Sequence, residues 1–218
     1  MERPSIIFIL FLLIIQGCSI QGSRYDGITN FYSTIGESII CFGDSLTAGE
    51  GAEKGKDYPS VIAQALKVPV INAGRSGDTT ASAMERLDKA LEQSPKIVIV
   101  ELGANDYLTS FKGGFAEADE SDIKAFQNLK IIVNKAQNAG AVVIIVGIRL
   151  NRKYTDGYKK LAKETGSVLI PDILDGILGN QSLMSADNRH PNAKGYQKMA
   201  DKIIAVIAPL LKEIQSFH

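Results

Sequence analysis

The sequence predicts an α/β protein of flavodoxin-like, three-layer α/β/α architecture, built on a five-stranded parallel sheet in the order 2-1-3-4-5. Three observations carry this expectation. Short apolar runs rich in β-branched residues alternate along the chain with segments of helical periodicity. Two of those runs, Ile97-Val98-Ile99-Val100 and Val142-Val143-Ile144-Ile145-Val146, are apolar at every position. Strands of that kind are buried on both faces, which a parallel sheet covered by helices on each side provides. Right-handed crossovers then leave a few doubly wound topologies, of which 2-1-3-4-5 is the simplest for 218 residues.

In chain order, strands are expected at 38–42, 68–72, 97–102, 142–147 and 168–170. Helical spacing falls at 58–66, 80–91, 121–139 and 156–164, and a last helix over 193–214 closes the chain. Gly140 and Gly166 follow two of these helices as C-terminal stop signals. The stretches 107–119, with Gly113-Gly114, and 171–189 read as extended loops. Both follow strands and therefore face the carboxyl rim of the sheet, where ligands of open α/β sheets bind.

The N-terminus has a different character. Ile6 to Ile15 is an unbroken apolar run, too short to span a bilayer and suited to the core of a secretory signal. Ile15-Gln16-Gly17-Cys18 resembles a bacterial lipobox, in which the cysteine is lipidated and becomes the new N-terminus. The expected division is therefore a lipoprotein-type signal peptide over 1–17, a polar Gly/Ser-containing tether over 18–36, and one domain over 37–218. It implies export to the bacterial cell envelope, with a membrane contact through lipid on Cys18 and the outer membrane as one possible address. Cys41, within the first strand, then has no disulfide partner and serves as a small hydrophobe.

Composition excludes several classes. Lys plus Arg and Asp plus Glu both total 24, and no basic run is interleaved with aromatics, so nucleic acid is not an expected partner. Two histidines, one of them terminal, and two distant cysteines give no zinc-site spacing. Neither metal nor organic cofactor is expected, and the chain reads as a monomer. Gly49 to Lys56, GEGAEKGK, resembles a phosphate loop but lacks the glycine needed at Glu50 and the hydroxyl needed at Asp57.

Chemistry concentrates in four places. GDSLTAG, Gly43 to Gly49, puts Ser45 in a tight turn directly after the first strand, without the GxSxG register of a nucleophile elbow. Asn72 to Thr79 follows the second strand, and its glycines allow backbone N–H groups to approach a substrate oxygen. Asn105 follows the third strand and offers an amide donor to an oxyanion beside Ser45. Asp187 stands three residues before His190, so one short turn can hold acid and imidazole together. Serine attack on an acyl carbon needs a base, a group that fixes the base's tautomer, and oxyanion donors. Ser45, His190, Asp187 and Asn105 supply these, whereas Asp44 and Asp106 read as turn or capping residues. At this point Gly74 and Gly77 are equal candidates for a second oxyanion donor.

Together GDSLTAG, NAGRSGDTT, ELGANDYL and DNRHPN resemble the blocks of the SGNH, or GDSL, hydrolase superfamily, in the family's order and over nearly all the chain from Ser38. The likeness is to its bacterial arylesterase, thioesterase I and lysophospholipase branch. This resemblance implies the SGNH hydrolase fold and hydrolysis of a small-molecule acyl ester or thioester without a cofactor. It further implies Ser45 as nucleophile, His190 as base, Asp187 as orienting acid, and an oxyanion hole formed by the N–H groups of Ser45 and Gly77 with the Asn105 side chain. The stretch 150–154 lacks the proline common in that branch after Ile-Arg-Leu. Removal of acetyl groups from carbohydrate, and noncatalytic binding of lipid or glycan by an envelope lipoprotein, are the competing readings.

Overall fold

The computed structural model describes residues 23–110 and 115–217, with the backbone alone over 115–119. The apolar leader, Cys18 and Gly113-Gly114 lie outside the described residues. Five parallel strands, β1 (Ile39–Gly43), β2 (Val70–Gly74), β3 (Ile97–Glu101), β4 (Val142–Val146) and β5 (Val168–Ile170), form one sheet in the order β2-β1-β3-β4-β5. The helices are α1 (Ser45–Ala48), α2 (Tyr58–Leu66), α3 (Thr80–Leu91), α4 (Ala104–Ser110), α5 (Phe115–Asn138), α6 (Arg152–Thr165) and α7 (Ala193–Ser216). None of the helices among the described residues is long and apolar enough to cross a membrane.

Period-2 alternation splits the strands between two cores. Ile39, Cys41, Ile97, Ile99, Val142 and Ile144 face the layer of α2 and α7, where Ile62, Met199 and Ile203 pack. Ile40, Phe42, Val98, Val100, Val143 and Ile145 face α3, α5 and α6, against Leu87, Ile132 and Tyr158. Burial on both faces is why these runs carry no polar position. Helices α2 and α3 begin where the sequence marks them. Asp57 accepts Ser60 N–H at 2.9 Å ahead of Pro59 in the first turn of α2, and Thr79 forms a reciprocal capping box with Ser82.

The register brings Gly43 level with Gly74 on one side and Glu101 on the other. Helix α1 sits directly on this row. A Cβ at Gly43 would lie 2.5 Å from the Glu101 carbonyl oxygen, and one at Gly74 would lie 2.2 Å from Ala48 N. The absent side chains are what let the short helix close over the strand ends.

Four expectations need correction. The second strand runs 70–74 rather than 68–72: Lys67 ends α2 in the left-handed region and Pro69, which has no N–H, only accepts from Ile39 N. The stretch 107–119 is largely helical, being shared between α4 and α5. Its early part, Tyr107-Leu108-Thr109-Ser110, holds mostly weak helix formers and no apolar stripe, so neither propensity nor periodicity revealed it. Helix α6 starts four residues earlier than expected, capped by Asn151, whose side chain accepts Tyr154 N–H at 2.9 Å.

The fourth correction concerns the tether. Of residues 18–36, those from Ser23 onward pack onto the domain. Phe31 is fully buried and Tyr25 nearly so, in the core shared with α7. Asn30 donates to the Gln137 and Ala141 carbonyls at 2.7 and 2.9 Å, and Thr29 N–H donates to Gly166 O at 2.9 Å. Three aromatics, Tyr25, Phe31 and Tyr32, in a polar stretch give no period, which is why the segment looked structureless. It closes the amino-terminal ends of the strands, at the pole opposite the carboxyl rim. Phe31→Ala should therefore lower the unfolding free energy by about 3–5 kcal/mol in urea titration, whereas a loose tether would register almost no change.

Candidate active site

The site is assembled from loops that leave the carboxyl ends of β1, β2, β3 and β5, at the switch point where strand order reverses beside β1. Ser45 opens α1. Asp44 caps this turn, its carboxylate accepting Leu46 N–H at 3.1 Å. The nucleophile candidate thus stands at the first helical position, held by a cap and by the glycine row beneath.

His190 comes to Ser45 from 145 residues away in the chain: its Nε2 lies 2.9 Å from Ser45 Oγ. Its Nδ1 lies 2.6 Å from Asp187 Oδ2. A carboxylate there accepts a hydrogen, so Nδ1 carries the proton and Nε2 presents its lone pair to the serine hydroxyl. The turn is closed by Ser185 N–H to His190 O at 2.8 Å, with Asn188 in the left-handed region. Asp187 Oδ1 accepts three further donors, from the Ser185 hydroxyl (2.6 Å), Arg189 N–H (2.9 Å) and His190 N–H (3.0 Å). The His190 N–H, the Ser185 hydroxyl, the imidazole and Arg189 N–H together hold the Asp187 carboxyl well below the usual carboxylate range. Asp187 accordingly stays ionised as pH falls.

Asn192 braces this turn from behind. Its carboxamide oxygen caps α7 by accepting Lys194 N–H and Gly195 N–H, and its Nδ2 donates to the Ser182 and Met184 carbonyls, both at 3.0 Å. Tyr196, in the first turn of α7, donates to Glu50 O at 2.7 Å and ties that helix to the loop after α1.

The donors are arranged across the rim. Gly77 occupies a turn closed by Asp78 N–H to Arg75 O, at a φ of +81° that glycine adopts without strain, and its N–H is unclaimed by any acceptor among the described residues. Gly74, the other candidate, spends its N–H on Asn72 Oδ1 at 2.9 Å. Asn105 Nδ2 donates to Asp78 O at 2.9 Å and, at 3.2 Å, to Asp44 Oδ2. Ser45, Gly77, Asn105 and His190 all border one cleft of about 730 Å³. Its wall is apolar along Leu46, Leu108, Ile148, Leu150, Leu174 and Leu178. Among the described residues no group of three or more His, Cys, Asp or Glu side chains could hold a metal ion.

Several structural supports of the site had no assigned role in the sequence. Arg86, on α3, donates to Asp78 Oδ2 (2.7 Å), Ala73 O (2.7 Å) and Gly43 O (2.9 Å), and its guanidinium lies 4.3 Å from the Phe42 ring centre. It thereby ties the ends of β1 and β2 to the loop whose carbonyl holds Asn105. A lone arginine on a mid-sequence helix reads as solvated surface, and no spacing signal distinguishes it. Asp106 acts as the expected brace, accepting Thr80 N–H at 2.9 Å and the Thr80 hydroxyl at 2.7 Å, and so pins α4 to α3. Glu101 closes β3 fully buried beside Asp44; a carboxylate ending an otherwise apolar strand was its signal.

A doubly wound parallel sheet with a serine, a histidine and an aspartate hydrogen-bonded in series at its switch point defines a serine hydrolase. Residues 41–198 match the GDSL-like lipase/acylhydrolase family, and the chain belongs to that family. It is similar to esterase TesA of Pseudomonas aeruginosa, 30% identical over 189 residues covering 80% of this chain and 90% of the relative. It is also similar to thioesterase 1/protease 1/lysophospholipase L1 of Escherichia coli K12, 30% identical over 195 residues, 84% of this chain and 89% of the relative. The crystal structure of psychrotrophic esterase EstA from Pseudoalteromonas sp., inhibited by monoethylphosphonate, matches with a TM-score of 0.69 at 29% identity, over 81% of this chain and 99% of that one. The protein is accordingly an ester-bond hydrolase of the GDSL type.

Replacing Arg86 by leucine leaves the buried Asp78 carboxylate with Arg75, half exposed, as its remaining cation. The variant should lose about 3 kcal/mol of stability in denaturant titration, and its turnover of an aryl ester should fall at temperatures where it remains folded.

Proposed function

We propose that Ser45 is the nucleophile of a two-step acyl transfer in which His190 is the base and Asp187 orients it. The observation that carries this is the unbroken series Ser45 Oγ, His190 Nε2, His190 Nδ1, Asp187 Oδ2, with links of 2.9 and 2.6 Å. Nε2 takes the hydroxyl proton as Oγ bonds to the acyl carbon, and the carbonyl π pair moves onto oxygen. When that pair returns, the bond to the alcohol or thiol breaks and the leaving group takes the proton from His190. Water then attacks the acyl-Ser45 carbon, gives one proton to His190, and expels the serine oxygen, which recovers that proton.

The oxyanion is held by the Ser45 and Gly77 N–H groups and by the Asn105 amide. Gly77 is preferred to Gly74 because its N–H is open and the Gly74 N–H is taken. Asn105 contributes the hydrogen that it otherwise directs to Asp44 over the longer of its two bonds. The apolar wall supports an acyl chain rather than a sugar in the cleft, with a carboxylic ester or thioester as substrate.

Labelling with a fluorophosphonate probe should modify the native protein and fail with Ser45→Ala. Hydrolysis of p-nitrophenyl esters should rise from acetate to longer acyl groups, and Asn105→Ala should lower kcat by about 10²–10³-fold. A folded native protein that neither labels nor turns over any ester removes the assignment.

Export to the bacterial cell envelope with lipid on Cys18 belongs to the same proposal. It is supported by the apolar run Ile6 to Ile15 and the residues before Cys18. Mass spectrometry of the mature protein should find a diacylated cysteine at the N-terminus. An unmodified cysteine, or cleavage elsewhere, removes the anchor.

A further inference from the structure

The pole of the sheet opposite the cleft carries an apolar surface that acyl transfer does not use. Helix α7 starts just after His190 and runs to the amino-terminal ends of the strands, where its last turns meet the segment that precedes β1. There Phe217 packs edge-on against Tyr32, with ring centres 4.9 Å apart, and both contact the fully buried Phe31. Phe31 fills the core beneath them, so the two outer rings have no inward space to occupy and stay half exposed. Ile35 shares this pole and is 88% exposed. It is held between Thr34, which donates to Lys96 O at 3.1 Å, and Gly36, seated against the backbone of 94–96 just ahead of β3.

The point at which the chain joins the domain decides what this surface can meet. Ser23 donates its hydroxyl to the Glu213 carboxylate near the end of α7, and Thr29 N–H donates to Gly166 O at the end of α6. The segment is therefore fixed to this pole from its first described residue. Five peptide steps separate Ser23 from Cys18, a reach of at most about 18 Å. Lipid on Cys18 accordingly brings a bilayer within reach of this pole. The cleft lies at the other end of the strands, and a five-residue strand such as β1 alone sets the two ends of the sheet about 15 Å apart.

We propose that Tyr32, Ile35 and Phe217 seat this pole in the interface of the bilayer that carries the Cys18 lipid, so that the cleft opens away from that bilayer and takes its ester from the aqueous side. The inference rests on the lipid-anchor reading of Cys18. Aromatic rings with polar edges suit the headgroup level: the Tyr32 hydroxyl donates to Asp26, and the exposed Arg24 lies over the Tyr25 ring beside them. Three side chains alone bind a membrane weakly. The anchor keeps them at high local concentration, and their contact in turn adds to the hold of the acyl chains. Esters that remain inserted in the anchoring leaflet lie at the wrong end of the molecule, whereas dissolved acyl esters and thioesters reach Ser45 freely.

The chain contains no tryptophan, so a single introduced indole reports alone. Mature, lipid-modified protein carrying Ile35→Trp at the pole, or Leu178→Trp at the exposed edge of the cleft, is reconstituted on vesicles of phosphatidylethanolamine and phosphatidylglycerol with brominated acyl chains. Relative to unbrominated vesicles, emission from Ile35→Trp should fall about twofold or more and lie to the blue of its value in water, while Leu178→Trp should change by less than about a tenth. A chain that is tethered without being seated keeps its indole clear of the acyl bromines and shows neither effect at Ile35→Trp.

Full emission from Ile35→Trp on brominated vesicles overturns the proposal, as does equal or stronger quenching of Leu178→Trp. Emission from Ile35→Trp that shifts on dimerisation in detergent and ignores the brominated lipid would assign the pole to a second copy of the chain, and overturns it too. If Ile35→Trp does not fold, Tyr32→Trp gives the same readout from the neighbouring ring. Mass spectrometry of the same preparation separates the seat from the anchor. An unmodified Cys18 removes both, whereas a lipidated Cys18 with an unquenched pole removes the seat and leaves the anchor standing.

Discussion

The close approach of α1 to the ends of β1 and β2 is the constraint on which the site depends. A four-residue helix has almost no stability of its own, because nucleation costs more than so few backbone hydrogen bonds return. It persists because Gly43 and Gly74, level in the sheet, let its backbone rest on the strand ends, and because Asp44 caps it. The position of Ser45 is thereby referred to β1, an interior strand of the sheet that is buried along its whole length.

The other half of the rim is held through three aspartates. Asp44 accepts from α1 and Asn105, Asp78 gathers Arg75, Arg86 and the Ser82 hydroxyl, and Asp106 pins α4 to α3. Asp44 and Asp106 each join segments that leave different strands, and Asp78 holds Arg86, which reaches the ends of β1 and β2. The proposed oxyanion donors are consequently set by a connected network, and small displacements in one loop are resisted by the others. Arg86 is the member that reaches furthest, since it bonds to the carbonyl ends of β1 and β2 as well as to Asp78. Preorganisation of this kind is what makes oxyanion stabilisation effective in a site partly shielded from water.

Much of this was legible in the residues, and the failures have physical causes. Fully apolar strands, the strand order and the capped helices α2 and α3 follow from burial and from local hydrogen-bonding rules that act over a few residues. Ser45, Asn105, Asp187 and His190 were visible because reactive residues stood at strand ends or in a short Asp-to-His spacing. The segment around Phe31 was not legible, since its burial depends on α7, which is remote in sequence. Nor was the choice between Gly74 and Gly77, because the deciding fact is which N–H Asn72 consumes. Arg86 acts through backbone partners on other strands, and no local pattern marks a side chain whose role is to hold others in place.

The two arms of the site are anchored in different ways. Ser45 rests on core strands, and Gly77 and Asn105 are linked to them through Asp78, Arg86 and Asp44. Disturbance there is transmitted into the packing of the sheet. Asp187 and His190 lie on a partly exposed turn whose bonds are nearly all internal, fastened to the body mainly by Asn192 and the start of α7. On the proposed roles, loss of a group in that turn would remove the base while leaving the sheet packing untouched. The proposed base and its orienting acid thus stand on the arm that can vary locally, while the proposed nucleophile stands on a turn seated against buried strand ends.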